Sequence, residues 1–194
     1  LRNTNDIKIH LIRHGKTPAN EQKLYCGATD LPLSDAGIIE LVELKEKGIY
    51  PKCADFYFTS GLMRTEQTLD LLYGSVPRVA IPQLAEFNFG SFEMKSYEML
   101  KEQDDYQAWI TDEAGGVSCP GGENRQDFTR RVLQGFEMLT EKWQGDLFVV
   151  CHGGVIVSIM AHLFPNTKNF YEWQPQPGRG YSIVPDGLKL YQPI

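Results

Sequence analysis

The sequence predicts a three-layer α/β/α sandwich around a mainly parallel sheet. Strand-like and helix-like segments alternate along the chain, and two of the apolar strand segments end alike, in a histidine followed by glycine and then a helix. Size is the third observation: 194 residues, 42% hydrophobic and 23% charged, suffice for one globular domain with a sizeable core. Residues 1–194 are therefore read as a single domain.

Residues 1–6 read as a loose terminus. Residues 7–12 alternate as a strand that runs into Arg13-His14-Gly15 and Thr17-Pro18-Ala19-Asn20. Ser34-Asp35-Ala36-Gly37 carries N-cap chemistry, and Ile38, Leu41, Val42 and Leu44 follow at helical spacing. Residues 54–59 read as the second strand, 62–73 as a helix ended by Gly74, and 79–81 as a short third strand. Residues 97–109 are polar with apolar points, one or two surface helices; 115–123 form a Gly/Pro loop. Residues 124–142 predict a long amphipathic helix with Phe128, Val132, Phe136 and Leu139 on one face. Residues 147–151 are the next strand and 155–163 an apolar helix; 181–184 and 188–191 flank Pro185-Asp186-Gly187 as a hairpin.

Composition excludes several classes. The net charge is −6 with no basic run, which argues against nucleic-acid binding but not against phosphate esters, since a few arginines in one cleft make a local positive field. No apolar run of ~20 residues predicts a membrane span, and no signal-peptide pattern opens the chain. Cys26, Cys53, Cys119 and Cys151 form no CxxC pair and no zinc-type cluster. Cys53 and Cys151 read as buried thiols, a reducing cytoplasm is the expected compartment, and neither metal nor cofactor is expected. Nothing in the pattern sets an oligomeric state.

Chemistry concentrates at the strand ends. Arg13-His14-Gly15 and His152-Gly153-Gly154 both follow apolar strands, and the carboxyl edge of such a sheet is where ligands bind. An imidazole there can be nucleophile, base or metal ligand. Glycine permits close approach, and the following helix start offers free N–H groups to an anion. Arg64 falls in the first turn of the helix after Ser60-Gly61, near the same edge.

Arg13-His14-Gly15, Asn20, the Ser60-to-Thr68 segment with Arg64, Leu84-Ala85-Glu86 with Phe89-Gly90, Pro120-Gly121-Gly122-Glu123 and His152-Gly153-Gly154 together resemble the histidine phosphatase superfamily, the phosphoglycerate-mutase-like family. The loops at residues 25–34 and 120–123 are most similar to its alpha-ribazole phosphatase branch. The resemblance implies a helical cap over roughly 91–122 and a phosphohistidine intermediate at His14. Arg13 and Arg64 then clamp phosphate, because a guanidinium fork pairs with two oxygens and stays charged. His152 is expected to hydrogen-bond the phosphoryl group as a cation. Glu86 is the expected general acid and base, since aromatic neighbours can desolvate a carboxyl and keep it protonated near neutrality; Glu93 is its competitor. Thr17, Asn20, Cys26, Gly27 and Gly153 are expected substrate contacts. The family pattern continues as aromatic-Glu-Gly where this chain has Phe92-Glu93-Met94, which puts the local turn in question.

The function expected is a metal-independent phosphomonoesterase acting on a small phosphate ester, with alpha-ribazole-5'-phosphate the suggested substrate. A cofactor-dependent phosphoglycerate mutase and a catalytically silent phospho-ligand binding protein are the alternatives.

Overall fold

Alternation in β1 (Lys8–Arg13) sorts its side chains between two cores: Ile9 and Leu11 enter one, Ile12 the other. β4 (Asp146–Cys151) does the same, with Leu147, Val149 and Cys151 on one face and Phe148 and Val150 on the other. Strands buried on both faces require a helical layer on each side. The computed structural model describes residues 7–185 and 190–194. In it, α6 (Arg125–Lys142) and α7 (Gly153–Leu163) cover the first core, and all four apolar residues predicted to share one face of α6 are buried. Leu69 and Leu72 of α3 (Met63–Tyr73) cover the second, and α2 (Asp35–Glu46) packs on α3.

With β2 (Phe56–Thr59), β3 (Val79–Ala80), β5 (Gly180–Val184) and β6 (Leu190–Pro193), the sheet order is β3-β2-β4-β1-β5-β6. The pairs β3–β2, β2–β4 and β4–β1 are parallel; β1–β5 and β5–β6 are antiparallel. This is the predicted three-layer fold. The turn proposed at Pro185-Asp186-Gly187 falls largely outside the described residues, as do residues 1–6.

Two expectations are corrected. α2 buries Gly37 and Leu41, whereas Ile38 and Val42 are 37% and 39% exposed. The cause is a close approach at Gly37, where a Cβ would stand 2.2 Å from the Lys16 carbonyl oxygen, so the Gly37–Leu41 line turns inward and its neighbours face solvent. Cys53 is exposed rather than buried, because it lies in the connection ahead of β2, outside the sheet.

Between β3 and α6 the chain forms α4 (Tyr97–Leu100), α5 (Asp104–Ile110) and extended loops. Leu100, Tyr106 and Trp109 are buried, and Trp109 packs against Tyr25, Phe87, Phe89 and Phe92. That aromatic group ties this region to the strand-end loops. No helix among the described residues is long and apolar enough to cross a membrane.

Candidate active site

Register brings the strand ends together. Arg13 pairs with Cys151, and Thr59 with Val150, so the residues that follow β1, β2 and β4 emerge side by side. The His14 N–H donates to the Cys151 carbonyl at 3.0 Å, and the rings of His14 and His152 lie 5.1 Å apart.

His14 is buried, and its Nδ1 lies 2.7 Å from the Gly15 carbonyl oxygen. A carbonyl only accepts, so Nδ1 carries the proton and Nε2 carries the lone pair. Burial holds the imidazole pKa well below its ordinary value, and the Arg64 and Arg13 charges push it the same way.

Arg64 is 1% exposed, donating through Nη1 to the Thr29 carbonyl at 3.0 Å and through Nη2 to the Gly27 carbonyl at 2.7 Å. Arg13 donates through Nη1 to the Pro175 carbonyl at 2.9 Å. Burial lowers the Arg13 pKa, and the Glu86 carboxylate opposes that shift. Both guanidinium Nε atoms are buried without a hydrogen-bond partner among the described residues.

His152 caps α7 in extended backbone, with Nε2 lying 2.8 Å from Ser60 Oγ and Nδ1 buried without a partner among the described residues. The imidazolium expected there is disfavoured: burial first, then His14, Arg64 and Arg13, hold its pKa well below the ordinary value. α7 begins at Gly153, two residues earlier than its apolar pattern suggests, so both glycines belong to its first turn.

Glu86 reaches that helix start. Its Oε2 accepts the Gly154 N–H at 3.0 Å and its Oε1 the Phe87 N–H at 2.9 Å. Arg131 fastens the segment, donating to the carbonyls of Gln83 and Ala85 at 2.9 and 3.0 Å and to the Glu123 carboxylate at 2.8 Å. Glu123 in turn accepts the Asn88 N–H at 2.9 Å, docking the 120–123 loop beside Glu86.

Glu93 is arranged differently. Its carboxylate accepts the N–H groups of Gly27, Ala28, Thr29 and Phe89 at 3.0 to 3.2 Å and the Thr29 hydroxyl at 2.7 Å. Those donors fill it as the anchor of the 27–29 loop. Met94 keeps the turn by adopting φ 58°, a left-handed conformation in which glycine carries no steric penalty.

The remaining predicted contacts divide. Thr17 and Asn20 cap α1 (Pro18–Glu21) reciprocally, with the Thr17 N–H donating to Asn20 Oδ1 at 3.0 Å. Asn20 and Cys26 line a cavity of about 420 Å³ that also includes Arg13, Glu86 and Gly154, whereas Thr17 is buried in its cap. Burial raises the Cys26 thiol pKa, so no thiolate is favoured. Gly27 contributes its carbonyl to Arg64, and a Cβ on Gly153 would stand 3.4 Å from Arg13 Nε. No group of three or more His, Cys, Asp and Glu among the described residues could hold a metal ion.

Sequence reasoning missed Arg131, Arg125 and the cavity wall formed by Phe170, Tyr171 and Gln174. Arg131 had a signal: it follows Phe128 by three on the apolar face of α6, and its guanidinium lies 5.1 Å from the Phe128 ring centroid. A charge on a buried stripe implies a buried partner. Residues 170–174 had none, because their position depends on how the chain returns after α7.

Comparison with known proteins agrees with this geometry. The family model for the histidine phosphatase superfamily (branch 1) matches residues 9–184. Adenosylcobalamin/alpha-ribazole phosphatase of Escherichia coli K12 is 32% identical over 162 residues, covering 81% of this chain and 79% of the relative. A 2,3-bisphosphoglycerate-dependent phosphoglycerate mutase of Nitrobacter hamburgensis is 31% identical over 171 residues, covering 80% and 81%. The crystal structure of the alpha-ribazole phosphatase from Shigella flexneri superposes with a TM-score of 0.80 at 28% identity, covering 91% of this chain and 89% of that one. With two strand-end histidines, a buried Arg64 and a half-buried Arg13 at one sheet edge and a family match along nearly its whole length, the chain belongs to branch 1 of the histidine phosphatase superfamily.

Proposed function

We propose that this protein is a metal-independent phosphomonoester hydrolase that works through a phosphohistidine at His14. The observation that carries the reading is a neutral imidazole of fixed tautomer beside the buried Arg64 and the half-buried Arg13, with its Nδ1–H held by Gly15 and its Nε2 lone pair available. Nε2 attacks phosphorus and the P–O bond to the leaving group breaks. Arg13, Arg64 and His152 take the phosphoryl oxygens; their unpartnered buried N atoms support this. A phosphoryl dianion among them favours the protonated form of His152. Glu86 gives the leaving alkoxide its proton, then takes one from the water that cleaves the P–N bond, and phosphate departs.

Water rather than a second hydroxyl is the acceptor on one specific ground. Beyond the phosphate clamp the cavity wall is largely aromatic, with Tyr25, Phe87, Phe89, Trp109 and Phe128. Beyond Arg13 this wall adds one cation, Arg125, and a bisphosphorylated cofactor calls for more; a flat, largely apolar leaving group fits it. Alpha-ribazole-5'-phosphate is the substrate suggested by the named relatives and is compatible with such a wall.

The test is phosphate release from alpha-ribazole-5'-phosphate, phosphoglycerates, sugar phosphates and nucleotides, with chelator and with added bisphosphoglycerate. Turnover that survives chelator and disappears in His14→Ala is expected. Glu86→Gln should lose ~10²–10⁴-fold in single-turnover rate on alkyl esters and less on p-nitrophenyl phosphate. Phosphoryl transfer between phosphoglycerates with no net phosphate release would replace the hydrolase by a mutase. Loss of activity with chelator and recovery with a divalent ion would refute the mechanism.

A further inference from the structure

The cavity does not end at its aromatic wall. A second cavity of about 750 Å³ adjoins it, and the two share Arg125, Thr129, Phe170 and Tyr171 as lining residues. Arg125 is the cation among the shared four. It stands at the start of α6, and its Nη2 is buried without a hydrogen-bond partner among the described residues. Its charge is felt by Asp112, whose carboxylate accepts the Val117 N–H at 2.7 Å. The second cavity also carries Glu113, which disfavours a polyanion reaching further in. Phe170 and Tyr171 are 45% and 68% exposed at the boundary, flat side chains able to cover a flat ligand.

A guanidinium N–H buried at the junction of two cavities calls for an acceptor. The phosphoryl end of the ester is already provided for by Arg13 and Arg64. We propose that Arg125 binds a hydrogen-bond acceptor at the end of the leaving group remote from phosphate. The substrate class is then a phosphomonoester of an elongated, flat, apolar alcohol or phenol that ends in a carboxylate or carbonyl. This assignment rests on the phosphomonoesterase reading and adds the residue that selects among such esters.

The probes are three pairs of aryl phosphates of increasing length, phenyl, 2-naphthyl and biphenyl-4-yl, each with and without a carboxylate at the remote position. In the wild-type protein kcat/KM should rise by ~10-fold or more on adding the carboxylate to at least one longer member, the gain expected of one bond between charged partners. In Arg125→Gln that ratio should collapse toward one, and Arg125→Lys should keep only part of it, because the fork is lost while the charge remains. Thermal unfolding of each variant establishes that it is folded. A ratio below two at every length, or a ratio that survives Arg125→Gln, overturns the proposal. Should no ester be hydrolysed, the hydrolase reading fails separately, and calorimetric affinities of the same pairs for wild type and Arg125→Gln decide the role of Arg125 by the same ratio.

Discussion

Replacing Glu93 should damage catalysis without removing any group that touches the reacting atoms. Its carboxylate is the common acceptor for Gly27, Ala28, Thr29 and Phe89. Arg64 donates both Nη groups to carbonyls of that same 27–29 loop. Glu93 therefore positions Arg64 through one intervening loop. Hydrogen bonds to a charged group are worth about 1.5–3 kcal/mol each, so simple addition over five donors would equal the whole stability of a typical domain. Addition fails here because Ala28 is exposed and its N–H recovers water. Counting two or three of the half-buried donors at the lower value leaves about 3–5 kcal/mol for Glu93→Ala. Glu93→Gln turns an amide NH₂ toward N–H groups and should cost about 2–4 kcal/mol by the same count. The assay is urea unfolding of both variants, followed by kcat/KM on esters of differing leaving-group basicity below the variants' midpoints. The expected loss is ~10–10³-fold, since displacing one charged transition-state contact costs about that much. It should be uniform across leaving groups, because Arg64 acts on the phosphoryl oxygens common to all of them. Unchanged unfolding and activity in Glu93→Gln would refute the anchoring argument; a loss confined to basic leaving groups would make Glu93 the acid instead.

Gly154→Ala places a Cβ 2.5 Å from Glu86 Oε1 and 3.3 Å from the Phe128 ring. Activity should fall by ~10²-fold, while unfolding free energy changes by less than about 1 kcal/mol, since alanine favours the helix by up to that amount; an active variant would show that Glu86 is not held at the helix start. His10 is buried against Ser182 at 2.7 Å, and burial lowers its pKa from 6.5 to about 4. The unfolded chain then binds the extra proton between those two values, so stability is full above pH 6.5 and falls as pH drops toward 4, by up to about 3 kcal/mol. Urea midpoints at pH 7 and 4.5 for wild type and His10→Gln measure this, and equal pH slopes in the two proteins would contradict it.

The fold was legible because its signals are local. Period-two alternation in residues 7–12, found as the strand Lys8–Arg13, the Ser34 cap and the Phe128–Leu139 stripe each survive in the structure. α2 shows where locality ends: Ile38 and Val42 satisfy helical spacing, yet the inward line is set by contact between Gly37 and the Lys16 carbonyl, residues separated by a loop. In the site, strand-end histidines are visible in sequence because the chain must bring each to the end of an apolar run. Glu86 and Glu93 are close in sequence and chemically alike; only their neighbours separate them, one beside Gly154 and the other filled by the 27–29 loop. No sequence pattern contains that difference, since both sets of neighbours arrive from distant segments.

The choice of partners for the arginines carries the last step. Arg64 and Arg13 are oriented by backbone carbonyls of Gly27, Thr29 and Pro175. A carboxylate in those places would hold the guanidiniums as well but would cancel much of their field. Carbonyl dipoles aim the forks and leave the Arg64 charge, and the Arg13 charge as offset by Glu86, facing His14 and His152. Burial first and then that charge disfavour the His14 imidazolium, as the proposed nucleophile requires, and the same charge would draw an ester dianion to the same point. A bound dianion would offset the arginine charges, so in the proposed mechanism a proton on His152 is opposed less, chiefly by burial, when it has phosphoryl oxygens to contact. One electrostatic arrangement is thus compatible with both proposed roles, His14 as a nucleophile that is free before binding and His152 as a donor that forms on binding.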